Sequence, residues 1–188
     1  MTHNGKVILI TGAASGIGAA TAKHLAAQGY KLCLSDINQD LLASVVDSIP
    51  RTHPYRSILS NAIVDVSNYS AVERWIEDIA LFDKPEIYGV FNCAGVNPTP
   101  TALEKTSEEY FHKLVATNLQ GTFNVCKAAG DYLKKGAVVV NVSSIMGLHP
   151  SPMNSVYCAT KYAIVGFSKS LALEWGSRGV RVNVVAPG

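Results

Sequence analysis

The chain holds 188 residues, one domain's length, with 48% apolar and only 16% charged residues. Against a usual charged share of about 25%, this excludes a disordered chain, which needs low hydrophobicity and high net charge. The net charge of +2, with both signs interspersed, excludes the basic excess of a nucleic-acid binder or a polybasic membrane-surface protein.

Strands are expected at residues 6–10, 31–35, 57–64, 87–92, 137–142 and 180–185. Such near-continuous apolar runs mark strands buried on both faces, as in parallel sheets. Helices are expected between them at 16–28, 38–49, 68–81, 107–132 and 155–175, the first with Ile17, Ala20 and Leu25 on one face. Loops are expected at 51–56, with Pro54, and at 95–101, with Pro98 and Pro100. The alternation implies a doubly wound, Rossmann-type α/β fold with a parallel sheet, helices on both faces and right-handed crossovers. Beyond the sixth strand lie only Ala186, Pro187 and Gly188. An apolar edge left bare is a pairing hazard, so a fragment, or a partner over that edge, is expected.

Cys33, Cys93, Cys126 and Cys158 are scattered, without a CxxC, and the five histidines lack ligand spacing. Buried free thiols are expected, with no metal. The apolar run at 7–10 is too short for a signal peptide, and no stretch approaches the ~20 residues of a membrane span. A reduced cytoplasmic setting without membrane contact is the default.

Thr11-Gly12-Ala13-Ala14-Ser15-Gly16-Ile17-Gly18 joins the first strand to the first helix. Glycine there permits a tight turn, backbone approach to a pyrophosphate, and close helix–strand packing. The helix start adds unpaired N–H groups and a positive dipole end. Composition predicts roughly 0.005 chance occurrences of TGxxxGxG, so the motif is specific. Asp36 ends the second strand, where a carboxylate binds a ribose 2′-OH and repels a 2′-phosphate. With Ser15 and Ile37 nearby rather than a basic residue, NAD is favoured over NADP. The alternative is that Asp36 caps the next helix, a role for which Asn38 competes.

Tyr157 and Lys161 lie one helical turn apart. By itself YxxxK carries little, because the composition predicts roughly half a chance occurrence. Three further groups change the weighing: Ser144 after the fifth strand, Asn118 among apolar neighbours in a helix, and Asn92-Cys93-Ala94-Gly95 after the fourth strand. The glycine loop, Asp36, the Asn92 turn and Ser144 all fall at the carboxyl edge of the sheet, where such folds bind ligands. In this set the chain resembles the short-chain dehydrogenase/reductase family, in the family's order from Thr11–Gly18 through Asp65-Val66, Asn92–Gly95, Asn118, Ser144 and Tyr157-x-x-x-Lys161 to Pro187-Gly188. Cys93 departs from the second Asn of that family's NNAG.

The resemblance implies an oxidoreductase interconverting a secondary alcohol and a ketone. Tyr157 would be the general acid/base, Lys161 would hold the nicotinamide ribose and lower the tyrosine's pKa, and Ser144 would bond the substrate oxygen. Asn118 would support a water-linked proton relay to Lys161. Gly12, Ser15, Gly16, Ile17 and Gly18 would cradle the diphosphate. Asp65 and Val66 would meet the adenine; Asn92, Ala94 and Gly95 would line the ribose; Pro187 and Gly188 would border the nicotinamide. A homodimer or homotetramer through the helices at 107–132 and 155–175 is also implied. The residues alone leave Ser144 exchangeable with Ser143, and Asn118 readable as a satisfied buried amide.

The family continues past Pro-Gly into a seventh strand and a substrate-closing segment, so residues 1–188 are expected to be one C-terminally incomplete nucleotide-binding domain. Met146, Leu148, His149, Pro152 and Met153 are expected to form one apolar substrate wall. The rival readings are a truncated, catalytically impaired nucleotide-binding or interaction protein and the extended epimerase/dehydratase branch, whose GxxGxxG is missing here. The absence of Gly-Lys-Ser/Thr excludes a P-loop nucleotidase.

Overall fold

Alternation along the strands decides the architecture. In the first strand, β1 (Val7–Thr11), Val7 and Leu9 join one apolar cluster while Ile8 and Ile10 join another, so helices must cover both faces. The computed structural model describes residues 6–50, 57–81 and 86–188; the expected loop at 51–56 lies outside them. The other strands are β2 (Lys31–Asp36), β3 (Ile58–Ile63), β4 (Ile87–Asn92), β5 (Leu133–Val142) and β6 (Arg181–Val185). They form a parallel sheet of order β3-β2-β1-β4-β5-β6. This is the doubly wound Rossmann order, which reverses at β1 and β4 and opens a crevice beyond their carboxyl ends.

Helices α1 (Gly16–Ala27) and α2 (Gln39–Ser48) cover one face. The other face carries α3 (Tyr69–Leu81), α5 (Gly121–Ala129) and α6 (Ser155–Gly176), the last covering the sheet with Leu171 and Phe167. Asn38 caps α2, its Oδ1 accepting from Leu41 N at 3.0 Å.

Four expectations need correction. The edge strands are not buried on both faces: β3 alternates half-buried and exposed residues, and β6 buries only Val182. Strand β5 begins at Leu133 rather than 137, with Gly136 (φ +87°) inside it, and its pairing to β4 shifts register near its start. The buried stripe of α1 is Gly18, Ala22 and Ala26; Ile17 is 46% exposed and Ala20 is exposed. Small side chains let that helix lie close to the sheet, so bulk marks its outer side.

The single helix expected at 107–132 is broken. It divides into α4 (Glu108–Leu114), a π-helical segment (Val115–Gln120), α5 and a 3₁₀ turn (Gly130–Tyr132). Widened turns of this kind recur at functional sites. This one places Asn118, 1% exposed, against the loop after β4.

Cys33, Cys126 and Cys158 are buried free thiols; Cys93 is only partly buried. Burial pushes Cys33 and Cys126 from near 9 to about 12, against weaker hydrogen bonds that lower them. A thiol whose pKa is raised by folding adds stability below its unfolded value and loses it as pH climbs toward the folded value. We therefore expect stability to fall by about 1.4 kcal/mol per pH unit per thiol above pH ~9. Urea titrations across that range test this; an alkaline limb unchanged in Cys33→Ala/Cys126→Ala would clear the thiols of it.

Candidate functional site

The site begins with the turn after β1. Gly12 has φ +65°, and a Cβ there would lie 2.7 Å from Ala94 N and 2.9 Å from Cys93 C. A Cβ on Gly18 would lie 2.1 Å from Gly12 O. The Thr11 hydroxyl accepts from Cys93 N and Ala94 N, both at 3.2 Å, tying this turn to the one after β4. The first turn of α1 has no acidic residue, and Ser15 makes no side-chain cap. Its positive dipole end therefore faces the cavity without a competing carboxylate, while the Gly18 N–H is engaged by the Cys93 thiol.

Asp36 closes β2 with both carboxylate oxygens anchored, one accepting from Ala14 N and the other from Asn38 N, each at 3.0 Å. Beyond β3, Asp65 accepts from Ser67 N at 2.9 Å and Ser67 Oγ at 2.7 Å. Asn124 Nδ2 donates to Val66 O at 2.8 Å, fastening this loop to α5.

Across the crevice, Ser144 follows β5 and its Oγ accepts from Met146 N at 3.1 Å. Tyr157 and Lys161, on the first turns of α6, are 8% and 6% exposed. The Lys161 ammonium lies 5.7 Å from the Tyr157 ring centroid and donates to Val142 O at 3.0 Å. Burial pushes the Tyr157 phenol above its ordinary range, while its hydrogen bond to Ser144 works the other way. Burial pushes Lys161 down, partly offset by Cys93. In the cofactor-free protein burial is the largest influence on the phenol, and the Lys161 ammonium is held by a backbone carbonyl.

One cavity of about 800 Å³ unites these parts. Of the residues read from the sequence, Gly12, Ser15, Gly16, Ile17, Asp36, Asp65, Val66, Ala94, Gly95, Ser144, Tyr157, Lys161, Pro187 and Gly188 line it. Gly18, Asn92 and Asn118 stand behind the wall. Gly18 packs α1 against the turn. Asn92 faces inward, its Nδ2 donating to Asn141 Oδ1 at 2.8 Å rather than toward a ribose. Asn118 accepts from Val96 N at 2.7 Å and donates to Val96 O at 3.2 Å. Its amide is thus the satisfied buried group, and it holds the loop whose Gly95 would, with a Cβ, press on Asn118 and approach Lys161.

Ser143 and Ser144 part company. The Ser143 hydroxyl, in a side chain 3% exposed, donates to Lys161 O at 2.8 Å. Of the expected apolar wall, Met146 lines the cavity, whereas Leu148, His149, Pro152 and Met153 do not. Met153 takes φ +61° and borders a separate small cleft behind Tyr157. Lys113, Ala116 and Thr117 line the cavity unannounced by any motif; their one signal was a position within two turns of Asn118. Among the described residues, no acidic, His and Cys group could hold a metal ion, and no helix is long and apolar enough to cross a membrane.

A family model described as short chain dehydrogenase matches residues 6–188. The chain is 38% identical over 190 residues to 2,5-dichloro-2,5-cyclohexadiene-1,4-diol dehydrogenase LinX of Sphingobium indicum, covering 98% of this chain and 72% of that one. It is 34% identical to levodione reductase of Leifsonia aquatica, covering 97% and 68%. The solved short-chain dehydrogenase/reductase of Burkholderia phymatum in complex with NAD superposes with a TM-score of 0.90 at 28% identity; the chain spans 66% of that structure and is wholly covered by it.

Proposed function

The chain belongs to the short-chain dehydrogenase family, and from that premise we propose that it moves a hydride between NAD(H) and a secondary alcohol or ketone. One observation carries the reading: a single cavity holds the N-terminus of α1, the neighbouring hydroxyls of Ser144 and Tyr157, and the buried Lys161 ammonium.

The cradle fits a dinucleotide. Gly12 lets backbone approach where any side chain would strike Ala94, and the helix start beside it presents donors without a competing carboxylate. Gly12, Ser15, Gly16 and Ile17 hold the diphosphate, Asp36 the adenosine ribose, Asp65 and Val66 the adenine. Ala94, Gly95 and Lys161 serve the second ribose, with Pro187 and Gly188 beside the nicotinamide. When bound, the dinucleotide supplies or accepts the hydride, and its oxidised form adds a positive charge beside Tyr157.

The chain's own residues handle the proton. Tyr157, protonated in the free protein, gives its proton to the developing alkoxide in carbonyl reduction and takes it back in alcohol oxidation. Ser144, whose oxygen accepts from Met146 N, turns its O–H from the Tyr157 phenol to the reacting oxygen when substrate binds. Lys161, once drawn from Val142 O, sets its charge beside the phenol and favours the phenolate. Asn118 holds the loop carrying Gly95 and so steadies the route between Lys161 and solvent. A homo-oligomer belongs to the same reading; Phe111, Phe123 and Leu173 are exposed on α4, α5 and α6.

The test is reduction of a ketone panel with NADH and with NADPH, including diones and the reverse oxidation of diols, the groups in two relatives' names. Turnover with NADH is the expected result; none on any carbonyl, despite tight NADH binding, would favour a non-catalytic nucleotide binder. In the same assay Asp36→Asn keeps an acceptor for Ala14 N but loses the charge and the acceptor for Asn38 N. We expect the NADH-over-NADPH preference to shrink by about tenfold, or ~1.4 kcal/mol. An unchanged preference would remove Asp36 from cofactor choice.

A further inference from the structure

Three consecutive residues at the end of β5 each address α6. Val142 O takes the Lys161 ammonium at 3.0 Å. Ser143 Oγ donates a hydrogen bond to the Lys161 carbonyl oxygen at 2.8 Å. Ser144 shares the cavity wall with Tyr157, close enough to pull its phenol's pKa down against burial. The outer two contacts end on groups that the proposed reaction would claim. The middle one ends on backbone, and both its atoms are packed in: a Cβ on Gly147 would come within 2.3 Å of Ser143 Oγ and 2.7 Å of Lys161 O.

The bond is surplus to what helix and sheet need. Lys161 lies in the interior of α6, where the helix supplies a carbonyl with its own backbone partner. The Ser143 backbone is separately anchored, its N–H donating to Val185 O at 2.8 Å. The remaining consequence is register, because this bond ties the strand end bearing Ser144 to the helical turn bearing Tyr157 and Lys161.

Building on the proposed roles of Ser144, Tyr157 and Lys161, we infer that Ser143 is a positioning residue, whose hydroxyl bond to the Lys161 carbonyl sets the register of α6 so that Ser144 and Lys161 both reach Tyr157. The paired serines divide the work. Ser144 meets the reacting oxygen, and Ser143 aims the helix.

The test follows the phenol itself, so it needs no substrate. Tyr157's ionisation is read as the difference in ultraviolet phenolate absorbance between each NAD⁺-loaded protein and the same protein carrying Tyr157→Phe. In Ser143→Ala we expect that step to move up by about one pH unit, as the Ser144 bond and the Lys161 charge fall out of reach. NADH affinity, read by fluorescence, stays within about threefold. Ser143→Thr keeps the hydroxyl and returns the step toward its original position; it also serves if Ser143→Ala folds poorly. A step that stays put in Ser143→Ala, even with a lowered melting temperature, makes the bond merely structural and overturns the inference. A wild-type titration indistinguishable from that of Tyr157→Phe sinks the underlying reading of Tyr157 instead, and the inference with it.

Discussion

Tyr157→Phe is expected to cut turnover by about 10²–10⁴-fold, or ~3–5 kcal/mol of barrier, while leaving NADH affinity nearly intact. The variant keeps the ring, 8% exposed at the cavity wall, and removes only the oxygen that meets Ser144. Among the described residues no backbone group depends on that oxygen, so the fold should persist. The pH dependence carries its own sign. Burial keeps the phenol protonated at neutral pH, the form that donates in carbonyl reduction. Oxidation needs the deprotonated form, so wild-type oxidation climbs with pH and reduction declines through the same ionisation; both limbs flatten in the variant. Steady-state rates in both directions across pH, beside NADH titrations, decide the matter. A variant retaining most of its turnover would take Tyr157 out of the reaction.

Gly18→Ala is expected to weaken NADH binding by at least about 100-fold, or ~2.7 kcal/mol, and to lower stability by about 1–3 kcal/mol. The added methyl would meet Gly12 O at 2.1 Å, Gly12 C at 2.8 Å and Ala13 Cα at 3.3 Å. All three are backbone atoms, so no side chain can swing aside, and α1 must back away from the turn it abuts. Retreat moves the helix N-terminus off the anion it is proposed to hold, although Gly18 itself does not line the cavity. Gly29→Ala is the control: it has φ +84° but no atom within 4 Å of a Cβ and it lies outside the cavity lining, so it carries only left-handed strain of roughly 1–2 kcal/mol. Fluorescence titration, with circular dichroism to monitor folding, separates the two. If folded Gly18→Ala protein bound NADH as tightly as wild type, the α1 terminus would not be the diphosphate site.

The elements that depart from expectation share one cause. Hydrophobic periodicity ranks residues by their cost in water, and close packing can reverse that rank. On α1 the stripe against the sheet is Gly18, Ala22 and Ala26, because little else fits there, while Ile17 stands at the cavity mouth. Between 107 and 132 no proline interrupts the pattern, so the π-helical turn at Val115–Gln120 has no local signal. It is bound up with distant partners: Asn118 with Val96, and Gly121 with Val66, whose Cγ2 would lie 2.5 Å from a Cβ there. The substrate wall departs similarly, since Leu148 and Met153 turn 48% and 53% of their surfaces outward.

What the chain determines by itself is the alternation of strand and helix, and with it the parallel sheet and the edge where ligands gather. It also determines the chemical kinds waiting there: glycines before a helix, a carboxylate after the second strand, a hydroxyl pair and an amine. These are local properties of spacing and residue type, legible without knowing what packs on what. Only the tertiary structure gave Ser143 and Ser144 different partners, turned Asn92 and Asn118 away from the cavity, and buried the phenol enough to push its pKa up in the free protein. Each of those depends on which groups a side chain meets across the fold, and on how much water is left around it. Both are set by contacts between segments tens of residues apart.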